Sequence, residues 1–186
     1  QRGRLDQPPI HEWVSRIGGE LADHSPRDGL EYHFIVLDSP EANGFALPGG
    51  WVFVTAGLLE TMESEDELAA VMAHELGHLA NRDFQRVAIR TALWLGLAEL
   101  IRGNDRDDWV PVVRGAQLIE TLHHSRRREA QADAEGAKIA WHAGYDPRAM
   151  AAFLGDEPRW SYLQTVFATH PHPENRAGWL HQHFER

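Results

Sequence analysis

The sequence contains no cysteine. Disulfide bonds, a thiolate metal site and a cysteine nucleophile are therefore excluded, since each of them needs a cysteine sulfur. Basic residues are in the minority: 18 Lys and Arg stand against 28 Asp and Glu, which gives a formal net charge of −10. Nucleic acids and anionic membrane surfaces attract basic patches, so this charge balance argues against either of them as the main partner.

Long apolar runs are also missing from the sequence. The longest candidate, residues 87–101, is interrupted by Arg90 and Glu99 and is too short to cross a bilayer. We interpret it as an amphipathic helix that packs on the domain, and we expect no transmembrane segment in this chain. The first nine residues lack the apolar core of a signal peptide, but the chain does not begin with Met, so a removed signal or anchor is compatible with it.

The length of 186 residues, 42% of them hydrophobic, suits a single domain with a buried core. We expect a helix or arm over residues 1–29 and a core over residues 30–180. Alternating apolar residues predict strands over residues 31–37 and 51–55, with a short extended stretch at residues 43–47. Tight turns between these stretches predict a small antiparallel sheet.

The turn sequence Pro48-Gly49-Gly50 has two interpretations. It follows a strand whose edge could bind an extended peptide through main-chain hydrogen bonds. Alternatively, it is no more than a hairpin turn. Composition alone does not decide between them.

The stretch from His74 to His78 reads H-E-L-G-H. Residues four apart lie on one face of a helix, so the two imidazoles can bind one metal ion while Glu75 faces the water in front of it. A helix is expected here because Ser64 and Glu67 form an S-x-x-E capping box ahead of apolar residues at helical spacing. This is the residue pattern of a zinc hydrolase.

A zinc ion bound by two histidines needs a third protein ligand and an open fourth position for water. Glu129 begins the sequence E-A-Q-A-D, which places Asp133 one helical turn later on the same face. Glu129 could complete the ligand set, and Asp133 could accept the free N–H of a histidine ligand. On spacing alone, Glu120 and Glu135 compete with Glu129 for this role.

H-E-L-G-H followed about fifty residues later by E-A-Q-A-D resembles the M48 metallopeptidases, which are gluzincins. The similarity extends to the stretch from Asn43 to Gly50, to Gly-Tyr-Asp-Pro at residues 144–147 and to the tail, and so covers roughly residues 30–180. It implies an α+β, mostly helical zincin-like fold with a small antiparallel sheet beside the H-E-x-x-H helix. The membrane-spanning helices of some branches are missing, which disfavours a prenylated substrate.

The resemblance also implies roles for individual residues. One Zn²⁺ per chain is expected on His74, His78 and Glu129, with Glu75 as the general base. The other implied positions are Asp133 and Arg176 as residues supporting the site, His170 as a second catalytic group near the metal, and Asn43, Phe45, Ala46 and Leu47 as the substrate-binding strand. Because His172 lies two residues after His170, which of these two histidines faces the metal stays open.

The expected function is that of a zinc endopeptidase that hydrolyses unfolded or misassembled proteins. Protein or peptide is the expected partner, with a monomeric chain in the bacterial periplasm or cell envelope. The alternative is a zinc-binding chaperone or adaptor, or a latent protease, whose metal site is closed by His170. The two interpretations share every metal ligand and differ in whether the fourth coordination position of the zinc ion becomes open to water.

Overall fold

The computed structural model of the protein describes residue 5, residues 7–82 and residues 126–150. These parts of the chain form four helices and three strands, which confirms the predicted α+β class. In chain order the elements are α1 (Pro8–Ala22), β1 (His33–Leu37), β2 (Gly44–Leu47), β3 (Trp51–Thr55), α2 (Ala56–Leu59), α3 (Glu65–Ala80) and α4 (Arg126–His142). None of the described helices is long and apolar enough to cross a membrane.

The three strands form a mixed sheet in the order β1-β3-β2. β2 and β3 are antiparallel and are joined by a turn at residues 48–50, as the sequence predicted. The expected antiparallel pairing was wrong for β1, which runs parallel to β3 with His33 opposite Trp51. The chain reverses between β1 and β2 but passes beyond the position that β3 later fills, so β1 and β2 are not neighbours in the sheet and β3 lies between them.

The two faces of the sheet have different surroundings. The inner face packs on the helices: Phe34 lies against Gly18 of α1, and Gly44 lies against Leu58 and Val71. Alternation and strand register place the opposite set of side chains together on what we call the outer sheet face: His33, Ile35, Leu37, Phe45, Leu47, Trp51, Phe53 and, at its end, Thr55.

Both ends of α3 are held by side chains. The Ser64 hydroxyl accepts a hydrogen bond from the Glu67 N–H at 3.2 Å, which confirms the predicted cap. The Glu67 carboxylate accepts from the N–H of Glu63 at 2.9 Å, one residue earlier than in a standard capping box. At the other end, the Arg27 guanidinium donates to the Leu79 carbonyl at 2.8 Å, where a positive charge is favourable.

α3 and α4 approach each other closely because a glycine lies on each helix at the crossing. A Cβ atom on Gly77 would lie 2.4 Å from the carbonyl oxygen of Ala132, and a Cβ on Gly136 would lie 2.7 Å from that of Ala73. Both distances are far shorter than carbon–oxygen contacts allow, so larger residues would push the helices apart. The side chains of Glu129 and Asp133 on α4 can therefore reach His74 on the buried face of α3.

Polar contacts connect α1 to the helices that flank the site. The Trp13 indole N–H donates to the Glu65 carboxylate at 2.7 Å, and the Arg16 guanidinium pairs with the same carboxylate. Behind α4, the Tyr145 hydroxyl donates to the Glu20 carboxylate. α1 is thus bound both to the start of α3 and to the segment that follows α4.

Candidate metal centre

Two buried imidazoles lie side by side on α3. His74 and His78 are one helical turn apart, and their Nε2 atoms are separated by 3.1 Å. Their rings are nearly perpendicular, at 86°, with centroids 4.7 Å apart. The four-residue spacing of the motif therefore brings two nitrogen atoms to one point, as the sequence predicted.

Glu129 at the start of α4 adds two carboxylate oxygens at the same point. Its Oε2 lies 3.4 Å from Nε2 of His74, and its Oε1 lies 3.5 Å from Nε2 of His78. Glu129 is almost fully buried. Among the described residues, these three form a group whose candidate ligand atoms all lie within 4.8 Å of one another.

The distances within this group are close to those between ligands of a tetrahedral metal ion. Ligand atoms bound to zinc at about 2.0–2.2 Å stand about 3.3–3.6 Å apart along the edges of a tetrahedron. The two Nε2 atoms lie 3.1 Å apart, and each lies 3.4 or 3.5 Å from a different oxygen of Glu129, so the donors are two nitrogens and a carboxylate. Three protein ligands leave a fourth vertex open, which is the arrangement of a catalytic zinc site.

Asp133 determines which nitrogen of His74 is available to a metal. Its Oδ1 lies 2.9 Å from Nδ1 of His74, and both side chains are buried. A carboxylate oxygen only accepts, so the proton of the neutral ring is on Nδ1 and the lone pair of Nε2 points toward Glu129. The contact is one that a supporting role for Asp133 requires, and that role stays a prediction.

Glu75 is 3% exposed and lies on α3 next to His74. A buried carboxylate is costly unless it is hydrogen-bonded or has a charged or metal partner. Its position beside His74, a candidate metal ligand, suits a group that would exchange protons with a metal-bound water. Its assignment as general base stays a prediction.

Of the three glutamates that spacing left open, the structure describes Glu129 and Glu135. Glu135 lies two residues beyond Asp133 and pairs with Lys138 at 3.2 Å, outside the group around His74. Of these two, Glu129 is therefore the carboxylate that lies against both histidines. Glu120, His170, His172 and Arg176 lie outside the described residues, so their predicted roles stay predictions.

β2 lies beside α3, the helix that carries His74 and His78. Gly44 is close enough to α3 that a Cβ there would be 3.3 Å from Cγ1 of Val71, one turn before His74. The start of the strand is anchored at Asn43, whose N–H donates to Oγ1 of Thr55 and whose carbonyl accepts from the Thr55 N–H at 3.0 Å. The predicted substrate-binding residues 43 and 45–47 thus lie next to the helix that carries the motif.

The sequence analysis did not identify two residues that help to position the candidate ligands His74, His78 and Glu129. Gly136 permits the close crossing of α3 and α4, and Arg27 holds the carbonyl next to His78. The glycine left a weak signal, since it interrupts an Ala-rich helix in which it has a low helix propensity. Arg27 lies in a loop and gave no signal, because its contact depends on the tertiary structure.

Comparisons with known proteins agree with this geometry. The sequence model of the family described as Peptidase family M48 matches residues 9–183. The chain is 30% identical to the beta-barrel assembly-enhancing protease of Escherichia coli K12 over 92% of its own length and 38% of that protein. It is 32% identical to the mitochondrial metalloendopeptidase OMA1 of Arabidopsis thaliana over 96% of its own length and 37% of that protein. The chain thus spans less than two fifths of the length of these relatives.

Proposed function

Because the chain belongs to peptidase family M48, we propose that it is the catalytic domain of a zinc-dependent endopeptidase. The observation that carries this proposal is the buried group of His74, His78 and Glu129 beside Glu75, in which the two Nε2 atoms lie 3.1 Å apart and each lies 3.4–3.5 Å from a Glu129 oxygen. The donor set, the burial and these distances favour one zinc ion with room for a water molecule.

The proposed chemistry is hydrolysis of a peptide bond by a water molecule. A zinc ion held by His74, His78 and Glu129 would lower the pKa of that water and would polarise the scissile carbonyl. Glu75 accepts the proton of the attacking water and then delivers it to the leaving amine. Asp133 keeps the His74 ring in the orientation that the site requires. His170 is proposed as a donor to the oxyanion.

The proposed substrate is an extended polypeptide that pairs with the outer edge of β2. Thr55 donates its N–H to the carbonyl of Asn43, so residues 43, 45 and 47 direct their backbone groups toward β3. Gly44 and Ala46, between them, direct theirs toward the outer edge. Binding through backbone groups requires an unfolded segment, which suits a protease of unfolded or misassembled proteins.

The proposed location is the bacterial cell envelope. The bacterial relatives are named for enhancing beta-barrel assembly, and transmembrane β-barrels are built in the bacterial outer membrane. Other relatives are named as mitochondrial proteins, so fractionation of the native host should decide between these settings.

The direct test compares the wild type with Glu75→Gln in zinc content and in hydrolysis of casein. Glutamine keeps the size of the side chain but cannot accept the proton, so we expect zinc to be retained and hydrolysis to fall by about a factor of 10² or more. Glu135→Gln is a matched control, since Glu135 is on α4 but outside the metal group. A Glu75→Gln variant as active as the wild type would rule out Glu75 as the base.

A further inference from the structure

The outer sheet face is apolar, although a small sheet with one face on the core normally presents polar residues on the other. Six of its eight residues are hydrophobic, and the other two are His33 and Thr55. Leu47 and Trp51 are each 41% exposed, five others are half-buried, and Thr55 is buried with its hydroxyl donating to the Asn43 carbonyl. A contiguous apolar surface of this kind indicates a contact site.

Two stacked ring pairs lie on this surface. The rings of Phe45 and Phe53 lie 4.9 Å apart at 14°, across the β2–β3 pair. The rings of His33 and Trp51 lie 4.2 Å apart at 27°, across the β1–β3 pair. Stacking holds each ring in one orientation, so the surface presents ring faces and edges with little loss of side-chain entropy on binding.

The surface is continuous with the outer edge of β2. Side chains directly opposite each other in paired strands lie on the same face of the sheet, about 4.5–5.5 Å apart. A peptide strand paired with β2 must therefore direct the side chains opposite Phe45 and Leu47 onto the outer sheet face. The side chains opposite Gly44 and Ala46 are directed toward α3, because those two positions face the helix.

From this geometry we infer that the outer sheet face selects substrates by side chain. Preferred substrates are extended segments with apolar or aromatic residues at alternate positions, and Phe45 and Leu47 are the specificity-determining residues. The inference rests on the proposed function and adds to it a class of substrate. Segments of this pattern are buried in folded β-proteins and exposed when those proteins unfold or fail to assemble.

The test is equilibrium binding of two fluorescent peptides to the zinc-loaded Glu75→Gln protein, which binds without cleaving. The peptides have equal length and charge and differ only at alternate positions, where one carries Leu or Phe and the other Ser. Covering about 50 Å² of apolar surface at one position is worth about a factor of ten in affinity. We expect the apolar peptide to bind at least tenfold more tightly.

Variants connect that preference to the surface. Leu47→Ser should weaken binding of the apolar peptide about fivefold and leave the serine peptide unchanged, because only an apolar contact is lost. Trp141→Ser is the matched control: Trp141 is 43% exposed but lies on α4, away from the sheet. The inference is overturned if the two peptides bind equally, if neither binds, or if both variants have the same effect.

Two further outcomes separate this inference from its alternatives. If Leu47→Ser converts a dimer into a monomer in sedimentation while peptide binding is unchanged, the surface joins two copies of the chain and the inference is wrong. If the wild type binds the apolar peptide selectively but hydrolyses neither it nor casein, the proposed peptidase function fails while the selective surface stands. If casein is hydrolysed but the two peptides bind equally, substrate selection by the outer sheet face is wrong and the proposed peptidase function stands.

Discussion

At the scale of single residues, the contact between Asp133 and His74 organises the centre. It places the ring proton on Nδ1 and so directs the Nε2 lone pair toward Glu129 and His78. Both groups are buried, where a charge-assisted hydrogen bond is stronger than in water. We therefore expect metal affinity to depend on a residue that does not touch the metal.

Asp133→Asn tests this expectation. The amide oxygen of asparagine can still accept the Nδ1–H of His74, but the negative charge that strengthens the bond is lost. We expect zinc affinity, measured by competition with a chromogenic chelator, to fall about 10–100-fold while the fold is retained. Glu135→Gln, two residues along on α4, should leave the affinity unchanged. An Asp133→Asn affinity equal to that of the wild type would show that the bond does not tune the site.

At the scale of elements, the site exists because α3 and α4 cross at two glycines. Gly77 lies between His74 and His78, one residue before His78, and Gly136 lies one turn after Asp133. Each contacts the backbone of the other helix more closely than a side chain would permit. The distance between the helices therefore sets the distance between Glu129 and the imidazoles.

Gly136→Ala should separate the helices. The added Cβ would lie 2.7 Å from the carbonyl oxygen of Ala73 and 2.8 Å from the backbone nitrogen of His74, and neither backbone atom can move freely. We expect a loss of about 1–3 kcal/mol in the free energy of unfolding and a weaker zinc affinity. Urea denaturation of the metal-free protein and chelator competition measure the two effects.

Gly19→Ala is the control for that substitution. Gly19 is also helical, in α1, but a Cβ there meets no atom within 4 Å. Alanine should be neutral or stabilise the protein by up to about 1 kcal/mol, because it restricts the unfolded chain. If Gly136→Ala behaved in the same way, close packing of α3 and α4 would not be what holds the ligands in position.

Local signals in the sequence were sufficient for α3 and for the β2–β3 hairpin. The cap at Ser64 and the four-residue spacing of the histidines depend on neighbours within about one helical turn, which the sequence displays directly. The parallel pairing of β1 with β3 and the crossing at Gly136 join residues that are far apart in the chain. No local pattern encodes such contacts, so the sequence alone could not reveal them.

The choice of a third candidate ligand was also beyond what local sequence patterns could decide. Spacing left Glu120, Glu129 and Glu135 as competitors, and the family resemblance favoured Glu129. In the structure Glu129 meets both histidines, whereas Glu135 pairs with Lys138. The choice depends on which face of α4 packs against α3, and this is a property of tertiary packing.

At the scale of the whole molecule, the contact between Tyr145 and Glu20 ties α1 to the segment after α4. The hydrogen bond from Tyr145 holds the pKa of Glu20 below its usual range. Burial and the same bond raise the pKa of Tyr145 to about 12, from 10.0 in a free side chain. The folded state therefore holds the tyrosine proton more tightly than the unfolded chain does.

The sign of the pH dependence follows from that difference. The stabilisation by Tyr145 is fully present below about pH 10 and is lost as the pH rises toward 12. Tyr145→Phe should cost only about 0.5–1 kcal/mol at neutral pH, because the pair is only partly buried and solvent screens it. Urea denaturation at several pH values should show this cost shrinking above pH 10. In a Glu20→Gln background, an equally large and equally pH-dependent cost would contradict the assignment.

The central claim is that α3 and α4 together bind one zinc ion through two imidazoles and one carboxylate. X-ray absorption spectroscopy of the protein loaded with one equivalent of zinc tests it most directly. We predict a four-coordinate ion with two imidazole nitrogens and two oxygens at about 2.0–2.2 Å, and loss of one oxygen neighbour or of the bound zinc in Glu129→Ala but not in Glu135→Ala. A single imidazole, a six-oxygen shell, or failure to retain zinc would contradict the claim.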